Sequence, residues 1–313
     1  MERMDRLEKE SFFMTMSDGH EVYVSVFKPE QQTNKHIHLL HGMAEHSERY
    51  ESFAQFLVEQ GYFVSMHDHR GHGKTAQQNG QLGYFGRENG FERVVVDVDE
   101  ILDYVREQSG VLLPVLFGHS MGSFIARRYM QLYSDKIDRV ILSGTGSPSF
   151  LHKAGYYLAK QLVTLQGGTT PSKLMGLLSF GNFNQYIRDA KTPFDWLTTD
   201  EREVQKYIDD PLCGFISTTQ FYVDLTGGMQ KLSKPSLNRC IRSDLPILFV
   251  SGTDDPVGEK GAKDVLKAAQ QLVEAGVTNI LVHTFEGMRH EILNETNKQQ
   301  VYEIILRWLK DEK

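Results

Sequence analysis

Cysteine is nearly absent: Cys213 and Cys240 are the only two in 313 residues, far apart and without a C-x-x-C step. That gives neither a disulfide framework nor a zinc site, and both read as ordinary buried thiols. Long apolar runs are missing too, which removes a membrane-spanning helix from the expected architecture. There is no basic excess: 34 Lys and Arg stand against 41 Asp and Glu, a formal charge of −7, whereas a nucleic-acid partner needs a positive surface. The opening MERMDRLEKE mixes both charge signs and carries no apolar core or small-residue cleavage site, which points to the cytoplasm.

What is present is an ordinary globular composition, 40% hydrophobic and 24% charged, long enough for one large α/β domain with an insertion. Ser11–Lys28 holds two β-rich runs around Ser17-Asp18-Gly19 and predicts a hairpin. Strand-like runs follow at His36–Leu40, Tyr62–His67, Pro114–Gly118 and Asp138–Ser143, with amphipathic helical segments near Glu48–Gln60 and Phe91–Gln108. Such alternation implies a mostly parallel sheet with helices on both faces. It stops after Gly146 and resumes at Pro246–Ser251, with a helix near Gly261–Ala275, a strand at Asn279–Phe285 and a helix near Asn297–Lys310. Residues 147–244 have no clear strand and read as a helical cap, or lid, over the carboxyl edge of the sheet; 1–146 and 245–313 are then the core. A second lobe without gating motion is the plainer reading of the same segment.

The strongest local signal is Gly118-His119-Ser120-Met121-Gly122, between the apolar run PVLFG and the helical FIARRYMQLY. Glycines two residues either side of a serine relieve clashes in a tight strand-to-helix turn that lifts the hydroxyl to a helix amino terminus. Taken alone, the pattern also suits a packing turn. A serine hydroxyl needs a base, and the base needs a carboxylate to orient it. His290 follows the strand ending at Phe285, and Asp254 and Asp255 follow the strand PILFVS. Pro256, which fixes the turn, favours Asp255. Serine, aspartate and histidine then occur in the chain order of α/β-hydrolases. For the oxyanion hole, the backbone N–H of Met121 and that of Met43, in the loop after HIHLL, are the expected donors, with His41 structural.

His41-Gly42-Met43-Ala44-Glu45-His46-Ser47-Glu48-Arg49-Tyr50, Asp68-His69-Arg70-Gly71-His72-Gly73, the serine pentapeptide, Thr253–Val257 and His290-Glu291 together resemble the monoacylglycerol lipase and bacterial lysophospholipase branch of the α/β-hydrolases. The resemblance spans most of the chain outside the insertion. It implies a cap between the sixth and seventh strands, and it implies Asp255 as the acid through the G-x-x-D step at Gly252-Thr253-Asp254-Asp255.

The expected reaction is therefore hydrolysis of a carboxylic ester with a lipid-like acyl chain, through an acyl-enzyme on Ser120, with His290 as base and no metal or organic cofactor. A transient contact with a membrane surface through the cap is compatible with such a substrate. Phe150, Leu151, Tyr156, Tyr157, Leu158, Leu162, Leu174, Met175, Leu177, Leu178 and Phe180 either line an acyl channel or fill the cap's own core. The rival reading is an esterase for short-chain or aromatic esters. A proline-releasing peptidase fits less well, because its relatives carry H-G-G-P-G where this chain has His41-Gly42-Met43-Ala44. Dehalogenases and epoxide hydrolases place an aspartate at the position of Ser120. A non-catalytic ligand-binding protein would have no need of the three residues in order.

Overall fold

The strand order determines where a ligand can enter. A computed structural model describes residues 8–311. Eight strands form one sheet in the order β1-β2-β4-β3-β5-β6-β7-β8. β1 (Glu8–Thr15) and β2 (Glu21–Lys28) make the expected antiparallel hairpin, and β2 pairs antiparallel with β4 (Phe63–His67). β4, β3 (His36–Leu40), β5 (Val115–His119), β6 (Val140–Ser143), β7 (Ile247–Gly252) and β8 (Ile280–Phe285) are mutually parallel. The chain steps outward from β3 to β4 and then returns to build β5 on the other side of β3. This reversal opens a crevice at the carboxyl ends of β3 and β5.

The period-two pattern of the strands sorts the core into two layers. Leu40, Leu116, Ile247 and Phe249 face a cluster with α3 (Gly90–Ser109), α4 (Met121–Tyr133) and α10 (Lys263–Glu274). Ile37, Leu39, Phe117, Leu248 and Val250 face the other side, with α1 (Glu51–Glu59) and α11 (Lys298–Leu309). All of these helices were expected. The short α2 (Gly73–Asn79) was not, because GKTAQQN offers no apolar periodicity.

Between β6 and β7 lie α5 (Phe150–Gln166), α6 (Lys173–Phe180), α7 (Glu201–Asp209), α8 (Thr219–Leu232) and α9 (Pro235–Asn238). Helix α8 is rooted in the main core: Phe221, Tyr222, Leu225 and Met229 share a buried cluster with Phe91, Val95 and Phe124. The outer helices depart from expectation. Phe150 and Leu151 are 80% and 77% exposed, and Tyr157, Leu174 and Leu178 are exposed as well, so these side chains do not fill a core, and none of them lines the cavity that holds Ser120. Leu162 and Met175 do join the core. Among the described residues, no helix is long and apolar enough to cross a membrane.

The cysteines also divide. Cys213 is buried, but Cys240 is exposed. Helix α9 buries Asn238, and Ile241 turns inward just beyond it, which leaves the intervening Cys240 on the solvent side.

One face of β3 and β4 carries histidine instead of aliphatic residues. His36 Nε2 and His38 Nδ1 both lie 2.7 Å from Ser65 Oγ; His38 Nε2 lies 2.9 Å from His67 Nδ1, and His67 Nε2 lies 2.9 Å from His69 Nδ1. A neutral imidazole has one N–H and one lone pair, so each bond of the row pairs a donor on one ring with a lone pair on the next, and two neighbouring rings cannot both be charged. Burial pushes His36 down to about 3, and drives His38, His67 and His69 well below the ordinary value of 6.5. Because the folded pKa values lie below the unfolded one, the unfolded chain binds more protons in this window. Folding stability should therefore hold above pH 6.5 and fall steadily towards pH 3. Urea unfolding at stepped pH checks this, and replacing His38 by an uncharged residue should flatten the slope.

Candidate active site

Ser120 joins β5 to α4 with φ 51° and ψ −118°. A side chain held in such a region costs about 1–3 kcal/mol, which the surroundings must supply. They do so through space. A Cβ on Gly118 would stand 2.4 Å from the Gly122 carbonyl oxygen, and one on Gly122 would stand 2.3 Å from the Leu40 carbonyl oxygen. The two glycines thus let the turn press against β3. Leu40 pairs with Gly118 across β3 and β5, so Gly42 and Ser120, each two residues further on, rise side by side. Among the described residues, neither the Met43 nor the Met121 backbone N–H donates to a protein acceptor. Both remain available to an oxyanion, and the amino terminus of the 13-residue α4 adds positive dipole there.

His290 and the carboxylate beside it come from the loops after neighbouring strands. His290 Nδ1 lies 2.9 Å from Asp255 Oδ1, which also accepts the Val257 N–H at 2.8 Å. Asp255 is fully buried against His290, whereas Asp254 is exposed. A Cβ on Gly252 would fall 2.0 Å from the Met288 carbonyl oxygen, so glycine lets the two loops touch. Donation from Nδ1 to Asp255 leaves Nε2 as the lone-pair nitrogen of neutral His290. Burial opposes protonation of His290, but the Asp255, Glu291 and Glu45 carboxylates outweigh it and raise its pKa above 6.5.

The Glu45-to-Tyr50 motif acquires a physical meaning here. Arg49 donates from Nη1 to Glu45 Oε2 at 2.7 Å and to Glu291 Oε1 at 2.5 Å, and from Nη2 to Glu291 Oε2 at 2.7 Å. Glu45 Oε1 in turn accepts the Gly42 N–H at 2.5 Å and the Tyr50 hydroxyl at 2.8 Å. One buried guanidinium therefore joins the loop bearing Met43 to the loop bearing His290. Ser47 donates its N–H and hydroxyl to Asp68 Oδ1, while Lys74 donates its N–H to Oδ2, so the second motif anchors the first. As expected, His41 is structural: its Nε2 accepts the His69 N–H, and its Nδ1 lies 2.7 Å from the Gly42 carbonyl oxygen.

Ser120 and His290 open into one cavity of about 450 Å³, within the range of small-molecule sites. Met43, Leu177, Phe180, Phe194, Trp196 and Phe215 form much of its wall. Of the eleven proposed channel residues, Leu177 and Phe180 line it; Tyr156 lines a different cavity. Trp196 was not foreseen. Its ring centroid lies 5.0 Å from that of His290, its carbonyl accepts the His290 N–H at 3.4 Å, and the next residue, Leu197, accepts from Glu291. The insertion thus straps the histidine loop, through a segment with no periodicity to reveal it.

The family described as "Serine aminopeptidase, S33" matches residues 31–297. The chain is 23% identical over 298 residues to a monoacylglycerol lipase of Mycolicibacterium smegmatis, covering 93% of each. It is 24% identical over 298 residues to an uncharacterized abhydrolase domain-containing protein of Dictyostelium discoideum, covering 94% of this chain but 28% of that one. Among solved structures, a thermostable carboxyl esterase from Bacillus coagulans in complex with glycerol is similar at TM-score 0.90 and 26% identity, over 97% of this chain and 99% of that one. The α/β-hydrolase fold expected from the sequence is the fold of this chain.

Three outcomes follow from the site. With neutral His290 as the base, kcat/KM for an ester should rise with pH around a midpoint above 6.5. In Asp255→Asn the burial effect prevails, so the midpoint should drop below 6.5 while kcat falls on the order of 10⁴-fold. A pH–rate profile of both proteins checks the shift. Arg49→Met leaves Glu45 and Glu291 buried without their cation, and should cost about 3–5 kcal/mol in urea unfolding.

Proposed function

The chain belongs to the serine aminopeptidase S33 family, and from that premise we propose that it hydrolyses lipid-like carboxylic esters, monoacylglycerols or lysophospholipids, through an acyl-enzyme on Ser120. The observation that carries this reading is the strained Ser120 sharing an apolar cavity with the Asp255-held His290. Ser120 Oγ attacks the acyl carbon as its proton passes to His290 Nε2. The Met43 and Met121 N–H groups hold the oxyanion, and collapse of the adduct expels the alcohol with the proton from His290. Water then enters, gives a proton to His290 and takes the acyl group, after which Ser120 regains its proton. Asp255 keeps the imidazole in the required tautomer.

An ester suits the cavity better than a peptide amino terminus. Among the described residues, the carboxylates lining it are Glu45 and Glu291, and both are engaged by Arg49. Neither is free to receive an ammonium group. We assign residues 147–244 the role of a lid, supported by the walls that Leu177, Phe180, Phe194 and Trp196 contribute. The exposed Phe150, Leu151, Leu174 and Leu178 give this lid an apolar outer face suited to a membrane surface that presents substrate. A general carboxylesterase for short-chain or aromatic esters is the second reading, and the likeness to the carboxyl esterase supports the ester chemistry that both readings share.

The test is a panel of p-nitrophenyl esters of increasing length, with monoacylglycerol and lysophosphatidylcholine supplied in neutral vesicles. Activity should rise with acyl length, reach the glyceryl lipids, and fall on the order of 10⁶-fold in kcat in Ser120→Ala, with the fold retained. Activity confined to short esters would move the function to the second reading. Turnover retained in the variant would remove Ser120 as nucleophile.

A further inference from the structure

We propose that His46, Asp210 and Cys213 form a binding site for one soft divalent cation of the zinc class, at the seam between the insertion and the loop that carries Met43. One donor atom from each residue lies within 4.8 Å of the other two. His46 follows the oxyanion loop, whereas Asp210 and Cys213 come from the turn after α7. A tetrahedral zinc-class ion holds imidazole, carboxylate and thiolate at about 2.0–2.3 Å, which places its donors about 3.5 Å apart. His46 Nε2 and Asp210 Oδ2 now stand at 2.8 Å, so a small rotation of these side chains opens the space.

The surroundings suit a cation of that kind. A thiolate with an imidazole selects zinc or cadmium over magnesium or calcium, which prefer oxygen throughout. Asp210 Oδ1 accepts the Leu212 N–H at 2.8 Å, and that bond keeps Oδ2 turned towards His46. The Cys213 N–H donates to the Asp210 carbonyl at 3.0 Å, closing the turn that brings the thiol beside the carboxylate. His46 and Cys213 are buried, while the Asp210 side chain is 30% exposed and gives solvent access to the fourth position. On binding, the thiol gives its proton to solvent and becomes a metal-bound thiolate; no electrons change hands.

The location gives the site a consequence. The Gly214 N–H and the Tyr207 hydroxyl both donate to the Ala44 carbonyl at 2.9 Å, next to Met43. A cation here would rivet the insertion to the oxyanion loop without touching substrate. It would be a structural clamp, independent of which ester the enzyme prefers.

Cadmium reads the thiolate directly, through its sulfur-to-metal charge-transfer absorption in the ultraviolet. The full chain would be titrated with Cd²⁺ as wild type, Cys240→Ala, Cys213→Ala and Asp210→Asn, each first shown folded by circular dichroism, with Cys213→Ser replacing the alanine variant if that one fails to fold. The expected result is a band saturating at one equivalent in wild type and Cys240→Ala, absent in the Cys213 variant, with affinity weakened about 10-fold or more in Asp210→Asn. No band in wild type, a band that survives loss of Cys213, a band that disappears with Cys240, or undiminished affinity in Asp210→Asn would each overturn the proposal.

Discussion

The geometry of the site hangs on one buried cation. Arg49 lies between Glu45, which holds the loop bearing Met43 through the Gly42 N–H, and Glu291, the residue after His290. A buried ion pair is seldom a net source of stability, because desolvation consumes most of the attraction. Its value here is geometric: the planar guanidinium makes a two-pronged contact with Glu291 that fixes distance and angle together. The rings of Tyr207 and Tyr50 close this ion cluster from two sides, Tyr207 beneath the guanidinium and Tyr50 through its hydroxyl bond to Glu45. The insertion thereby contributes to the same knot, since Tyr207 also binds the Ala44 carbonyl.

With both loops fixed, the strain at Ser120 becomes sustainable. The backbone at Ser120 cannot relax without moving Gly122 off the Leu40 carbonyl, and β3 is locked between β4 and β5. The sheet supplies the position and the ion cluster supplies the orientation. The histidine row on β3 and β4 runs into the same region, ending at His69, whose N–H pins the ring of His41 beneath Gly42. Polar side chains therefore brace this end of the sheet where aliphatic packing would leave the loops free.

Much of this was legible in the sequence because it is local. The alternation of strand and helix, the glycines around Ser120 and the order of serine, aspartate and histidine are each written within a few residues. The division of labour between Asp254 and Asp255 was less clear, since burial and not residue type separates them. The insertion was the least legible part. Its apolar residues have no single period, and the structure sends Phe221 to the core, Trp196 to the histidine loop and Phe150 to solvent. Contacts between distant segments, such as Arg49 with Glu291 or His46 with Asp210, leave no spacing for a reader to find.

The central claim is that Ser120, held in a strained turn beneath the insertion, is the nucleophile. Covalent labelling by a fluorophosphonate, followed by intact mass and peptide mapping, tests it most directly. One adduct per chain, located on Ser120, is the predicted result. An unlabelled chain, or an adduct on a different residue, would contradict the account.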